Sequence, residues 1–117
     1  MKIFSGSANV GFSEKVAYHL NRPLSKLKIS KFADGETKIV IQESVRKQDC
    51  YIIQPTGPSE NNSVNDNLME LFIICDALKR GSAMSVNVVM PYYGYQRQDR
   101  KDYSHAPISA RVIASCL

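Results

Sequence analysis

Two short runs constrain this chain more than anything else in it. Cys50-Tyr51-Ile52-Ile53 and Val86-Asn87-Val88-Val89-Met90 are apolar at nearly every position instead of alternating with polar residues. A strand of that kind needs cover on both faces, which suits the interior of a parallel sheet with helices on either side. Between the runs, Leu68, Leu71, Phe72, Cys75 and Leu78 recur at helical spacing, predicting a helix from Ser63 to Arg80 that Gly81 ends. Ser63-x-x-Asp66 reads as a variant N-terminal cap of that helix, not as a site.

The remaining segments extend the same alternation. Lys2-Ile3-Phe4 is a short first strand ended by Ser5-Gly6-Ser7. Phe12, Val16 and Leu20, with Ala17 beside them, predict an amphipathic helix with a buried stripe, stopped by Asn21-Arg22-Pro23. Leu27 to Phe32 and Thr37 to Ile41 are β-prone runs around Asp34-Gly35, a hairpin signal of the type I′ kind. Gln54 to Asn62 is a loop rich in Pro, Gly and Asn, and Tyr92 to Ala106 is a polar one. Pro107 opens a last helix from Ile108. The order β-α-β-β-β-α-β-loop-α implies an α/β domain: a mainly parallel sheet flanked by helices, with an antiparallel hairpin as a flap. No linker or repeat divides it, so residues 1–117 form one domain. The ending PISARVIASCL lacks a helix stop, so the chain is expected to be truncated from a longer one.

Composition narrows the function classes. With 44% apolar and 22% charged residues the chain is neither disordered nor fibrous. No run reaches the roughly 18 apolar residues of a membrane span. Three cysteines at spacings that match no metal motif imply a reducing compartment, and no signal peptide precedes the first strand; the expectation is a cytoplasmic protein with no membrane partner. A formal charge of +4 is compatible with solubility, with an anionic ligand or with nucleic acid. The scattered basic residues and the absence of tryptophan make nucleic acid the weakest of these.

Ligands of parallel α/β sheets bind at the carboxyl ends of strands. Of the loops there, only the one after Met90 is rich in chemistry: Tyr92, Tyr93 and Tyr95 precede Arg97, Arg100 and Lys101, with Asp99 and Asp102 among them. Arginine grips phosphate with a planar fork, and Asp and Gln read amino groups and ribose hydroxyls. That set suits a nucleotide triphosphate; a solvated, salt-bridged surface loop is the competing reading. His19 is read as a surface residue, and His105 neighbours the loop. Asp34 and Glu36 could hold a ribose or simply belong to the turn. Glu70 and Asp76 do not share a helix face and are read as solvated. The phosphate-loop patterns GxxxxGK[ST] and GxGxxG are absent, as is any nucleophile–base pair.

At Lys31-Phe32-Ala33-Asp34-Gly35-Glu36, Glu43-Ser44-Val45-Arg46, Asn65-Asp66-Asn67-Leu68-Met69-Glu70-Leu71, Arg97-Gln98-Asp99-Arg100-Lys101 and Ala106-Pro107-Ile108-Ser109-Ala110 the chain resembles the N-terminal domain of the ribose-phosphate pyrophosphokinase (phosphoribosyl pyrophosphate synthetase) family. The likeness runs from Lys2 to the last residue. It implies a fold akin to type I phosphoribosyltransferases, with a second, similar domain downstream. It implies an enzyme that transfers the diphosphate of ATP to ribose 5-phosphate, giving phosphoribosyl pyrophosphate and AMP for nucleotide biosynthesis. Magnesium is required, phosphate commonly activates, and the active form is a homo-oligomer, commonly a hexamer.

Carried over residue by residue, the resemblance assigns ATP binding to Phe32, whose ring would stack on adenine, and to Asp34, Glu36, Arg97, Gln98 and Asp102. Ser44 and Arg46 match a regulatory phosphate or ADP site. The hairpin would reach a neighbouring subunit's site. Two departures are visible: a longer loop over Pro55 to Asn65, and His105 where arginine or glutamate is usual. The family's magnesium-binding histidine, its catalytic Lys and Arg, and its Asp-Asp-x-x-x-Thr-Gly-Gly-Thr loop are not in these residues. No catalytic or metal residue is therefore assigned, and the 117 residues alone are expected to be inactive. The alternative within the family is a non-catalytic regulatory subunit that binds nucleotide or the active enzyme.

Overall fold

The computed structural model describes residues 1–60 and 62–91; Arg97, Gln98, Asp102, His105, Cys116 and the expected helix from Ile108 lie outside them. The described chain forms β1 (Lys2–Ser5), α1 (Val10–His19), β2 (Leu27–Lys31), β3 (Thr37–Ile41), β4 (Asp49–Ile53), α2 (Val64–Arg80) and β5 (Ser85–Val89). This is the order that periodicity predicts. β4 lies between β1 and β5, parallel to both, and β2 pairs with β3 as a separate antiparallel ribbon. The architecture is thus the expected one, a parallel sheet with a hairpin flap.

Alternation along the strands sends side chains to two faces. Phe4, Cys50 and Ile52 share one face and pack with Leu71, Ile74, Cys75 and Leu78 of α2. Leu27, Ile29, Ile39 and Ile41 of the hairpin close this core from the side. The hairpin is also pinned at its base: Glu43 accepts from Lys2 Nζ at 2.6 Å and from the Lys26 N–H at 2.9 Å, tying β3 to β1 and to the start of β2.

α2 begins in a reciprocal cap. The Asp66 N–H donates to Ser63 Oγ, and the Ser63 N–H donates to the Asp66 carboxylate at 2.9 Å. These bonds satisfy donors that a helix start leaves orphaned. The bond from the Ser63 N–H also holds the Asp66 carboxyl below its ordinary value.

Three local expectations are corrected. In α1 the buried side chains are Ser13 and Ala17, while Phe12 and Leu20 are exposed. Small residues face β1 because the helix sits close to it; the Ser5 and Ser13 hydroxyls are hydrogen-bonded at 2.8 Å. Leu20 and Val16 instead line an apolar groove with Ile3, Tyr51, Ile53 and Val89 on the sheet face opposite α2. β5 is partly exposed, not buried, since among the described residues only β4 pairs with it. The hairpin turn is not type I′: only Gly35 has positive φ, at 93°. The Gly35 N–H donates to the Phe32 carbonyl and the Phe32 N–H to the Glu36 carbonyl, the pattern of a tight turn closed by a glycine bulge.

Candidate functional site

The hairpin decides where the proposed nucleotide residues stand. Its base lies near Lys2 and Glu43, at the amino end of β1. Its far end lies across a cleft of about 190 Å³ from the first turn of α2, lined by Ser7, Lys31, Thr37, Asn62, Asp66 and Glu70. The tip therefore projects on the side of the carboxyl ends of β1 and β4, where a parallel sheet offers its ligand crevice.

Phe32, Asp34 and Glu36 come together on that tip, all exposed, with Phe32 as a residue 50% accessible. Asp34 Oδ1 accepts from the Glu36 N–H at 3.0 Å, which stiffens the turn and leaves the other carboxylate oxygen for a ligand. An apolar ring on a short, hydrogen-bonded loop is a stacking platform with little conformational entropy to lose. Ser44 and Arg46 are also exposed, either side of buried Val45, but they precede β4 and so lie at the opposite end of the sheet. The structure thus separates Phe32, Asp34 and Glu36 from Ser44 and Arg46. Arg97, Gln98 and Asp102 fall outside the described residues.

Polar residues at the carboxyl end were not singled out by spacing. Glu70, read from the sequence as solvated, is only 3% exposed. One carboxylate oxygen accepts from the Ser7 N–H at 2.6 Å and from Gln54 Nε2 at 3.2 Å; the other accepts from Ser7 Oγ at 2.7 Å. Gln54 Oε1 accepts from the Ala8 N–H at 3.1 Å. Buried Asn67 donates to the Gly57 carbonyl at 2.7 Å and to Ser59 Oγ, and accepts from Asn62. The loops after β1 and β4 are consequently locked to α2 by side-chain hydrogen bonds, and among the described residues no buried side-chain polar atom lacks a partner. The available signal is the helical wheel: Asn67 and Glu70 lie four residues before Leu71 and Ile74, inside the buried arc.

The network has a steric condition. A Cβ on Gly6 would lie 2.2 Å from Gln54 Oε1, so Gln54 packs where any larger residue would collide with it. Asp76, by contrast, is solvated as expected and pairs with Arg80 one turn on at 2.8 Å. His19 is exposed. Cys50 and Cys75 are buried, and burial pushes both thiols up. Among the described residues no three His, Cys, Asp or Glu side chains gather to hold a metal ion, and no helix is long and apolar enough to cross a membrane.

Comparison with known proteins places this geometry. The family model for the N-terminal domain of ribose phosphate pyrophosphokinase matches residues 1–117. The ribose-phosphate pyrophosphokinase of Helicobacter pylori (strain ATCC 700392 / 26695) is 53% identical over 116 residues, covering 99% of this chain and 35% of the relative. That of Thermotoga maritima is 50% identical over 117 residues, covering all of this chain and 36% of the relative. The chain thus spans about a third of the length of these relatives. The crystal structure of phosphoribosylpyrophosphate synthetase from Mycobacterium smegmatis superposes with a TM-score of 0.88 at 37% identity, covering 98% of this chain and 37% of that one. With a family model matched end to end and a shared fold, the chain belongs to the ribose phosphate pyrophosphokinase family, as its N-terminal domain.

Proposed function

We propose that the protein to which this domain belongs transfers diphosphate from ATP to ribose 5-phosphate, releasing AMP, and that this domain supplies mainly the ATP-binding part. The observation that carries the proposal is half-exposed Phe32 on its stiff turn, with the Asp34 and Glu36 carboxylates beside it. Adenine stacks on the ring, a contact worth about 1–3 kcal/mol. The carboxylates accept from amino or hydroxyl groups of the nucleoside. Arg97 and Gln98 lie along the polyphosphate, where a guanidinium stabilises charge in binding and in the transition state; Asp102 lies near the adenine end. Ser44 and Arg46, at the other end of the sheet, form the regulatory phosphate or ADP site.

The proposal includes magnesium, phosphate as activator, a homo-oligomer of hexameric form and a cytoplasmic setting. Among the described residues no three His, Cys, Asp or Glu side chains gather, so magnesium would be held largely by the phosphates of ATP. The test is formation of phosphoribosyl pyrophosphate and AMP by the full-length protein supplied with ATP, ribose 5-phosphate and magnesium. Phe32→Ala is expected to raise KM for ATP about 5- to 150-fold. Arg97→Ala and Gln98→Ala are expected to cut turnover without unfolding. Unchanged kinetics in all three would refute the site assignment, and a full-length protein without this activity would leave the regulatory subunit as the function.

A further inference from the structure

The hairpin tip contains a cation that the proposed function does not use. Lys38 Nζ lies 5.6 Å from the centre of the Phe32 ring. Strand register explains the contact. Phe32 faces Glu36 across the turn, and Lys38 is two residues beyond Glu36, so ring and lysine are diagonal neighbours on one face of the ribbon. That face is exposed: Phe32, Lys38 and Val40 all meet solvent. Among the described residues no carboxylate forms an ion pair with Lys38. Among the described residues, the contact that holds the ammonium over the aromatic face is with the ring quadrupole and not a salt bridge.

We propose that Lys38 caps the stacking face of Phe32 and is displaced when a base binds, so that residue 38 sets the preference for a charged nucleotide over a neutral nucleoside. The inference rests on Phe32 being the base-stacking ring. One face cannot hold an ammonium and a purine together, so the base must remove the cation. Stacking is the stronger contact and wins the exchange. The lost cation contact lowers affinity for any base by about two- to fivefold. A displaced lysine on its flexible stem can then turn to a polyphosphate, which offsets that loss. A nucleoside without phosphate offers no such compensation.

The test uses the full-length protein, with ATP binding measured by titration calorimetry and adenosine binding by its competition with ATP up to millimolar concentration. Lys38→Met keeps the apolar stem and removes the charge. It is expected to tighten adenosine about two- to fivefold and to leave ATP affinity equal or weaker. Adenosine affinity that is unchanged or weaker in Lys38→Met, or no competition by adenosine in either protein, would overturn the cap. Phe32→Leu separates this from the parent reading. If Phe32→Leu weakens both ligands while Lys38→Met shifts neither, only the cap fails. If Phe32→Leu leaves both ligands unaffected, base stacking on Phe32 fails as well.

Discussion

Replacing Gly6 by alanine adds one carbon and should cost as much as losing a buried core methylene group several times over. The added Cβ would lie 2.2 Å from Gln54 Oε1, 2.3 Å from Cδ and 2.8 Å from Nε2, against an ordinary contact of 3.4–4 Å. Gln54 must retreat by more than an ångström, yet it is fully buried and bonded at both ends of its amide. Retreat breaks the bond from the Ala8 N–H, worth about 1 kcal/mol, and the bond to the Glu70 carboxylate, worth about 1.5–3 kcal/mol. The bond to the Asn67 carbonyl is already long at 3.4 Å and adds little. Gly6 does not have positive φ, so alanine meets no backbone penalty there. It gains about 0.4–1 kcal/mol from a stiffer unfolded chain. The net expectation is a loss of about 1.5–3.5 kcal/mol. Urea unfolding followed by far-ultraviolet circular dichroism measures it. The decisive control is the same substitution in a Gln54→Ala background, where the three atoms closest to the added methyl are gone and the cost should fall below about 0.5 kcal/mol. A Gly6→Ala penalty below about 1 kcal/mol, or an equal penalty in both backgrounds, would refute the steric argument.

Two further outcomes follow from the electrostatics. Lys2→Met removes the partner of Glu43 at side-chain exposures of 29% and 25%, and is expected to cost about 1 kcal/mol at pH 7 in urea unfolding. The hydrogen bond from Lys2, then that from the Lys26 N–H, holds the Glu43 carboxyl below its ordinary 4.5, so the pair's contribution is complete above that pH and lost as pH falls through the lowered value; parent and variant should converge in acid. Cys50 and Cys75 have thiols raised above 9.0 by burial, so iodoacetamide at pH 8 followed by peptide mapping should leave both unmodified in the native protein and modify both in urea. Their linkage has the opposite sign: stability is whole below 9.0 and falls as pH rises through the raised values.

Much of this structure is legible in local pattern. The all-apolar run at Cys50–Ile53 implies a central strand, and β4 is hydrogen-bonded on both sides. Ser63-x-x-Asp66 implies a cap, and both of its bonds are made. Asp34-Gly35 implies a tight turn, although its type differs because Asp34 does not adopt positive φ. The stripe Phe12–Val16–Leu20 misleads. Helical spacing says which residues share a face, but not how near the helix approaches the sheet, and a close approach selects Ser13 and Ala17. Of the candidate site, the tip residues Phe32, Asp34 and Glu36 are recognisable through their resemblance to a family, not through chemistry that their spacing reveals.

Periodicity suffices for the strands, helices and hairpin of this domain because burying one face is a demand each segment meets with neighbours three or four residues away, or two along a strand. Tertiary structure alone decides which polar residues are interior. Ser7 and Glu70 are 63 residues apart, and no local rule connects a loop serine to a helical glutamate. Only when β1 and β4 lie side by side beneath α2 do Ser7, Gln54, Asn67 and Glu70 meet. Only the anchoring of the hairpin base at Lys2 and Glu43 carries Phe32 to the ligand end of the sheet and leaves Arg46 at the other. A charged or amide side chain is drawn out of water by partners that meet it there, and those partners are set by the path of the whole chain.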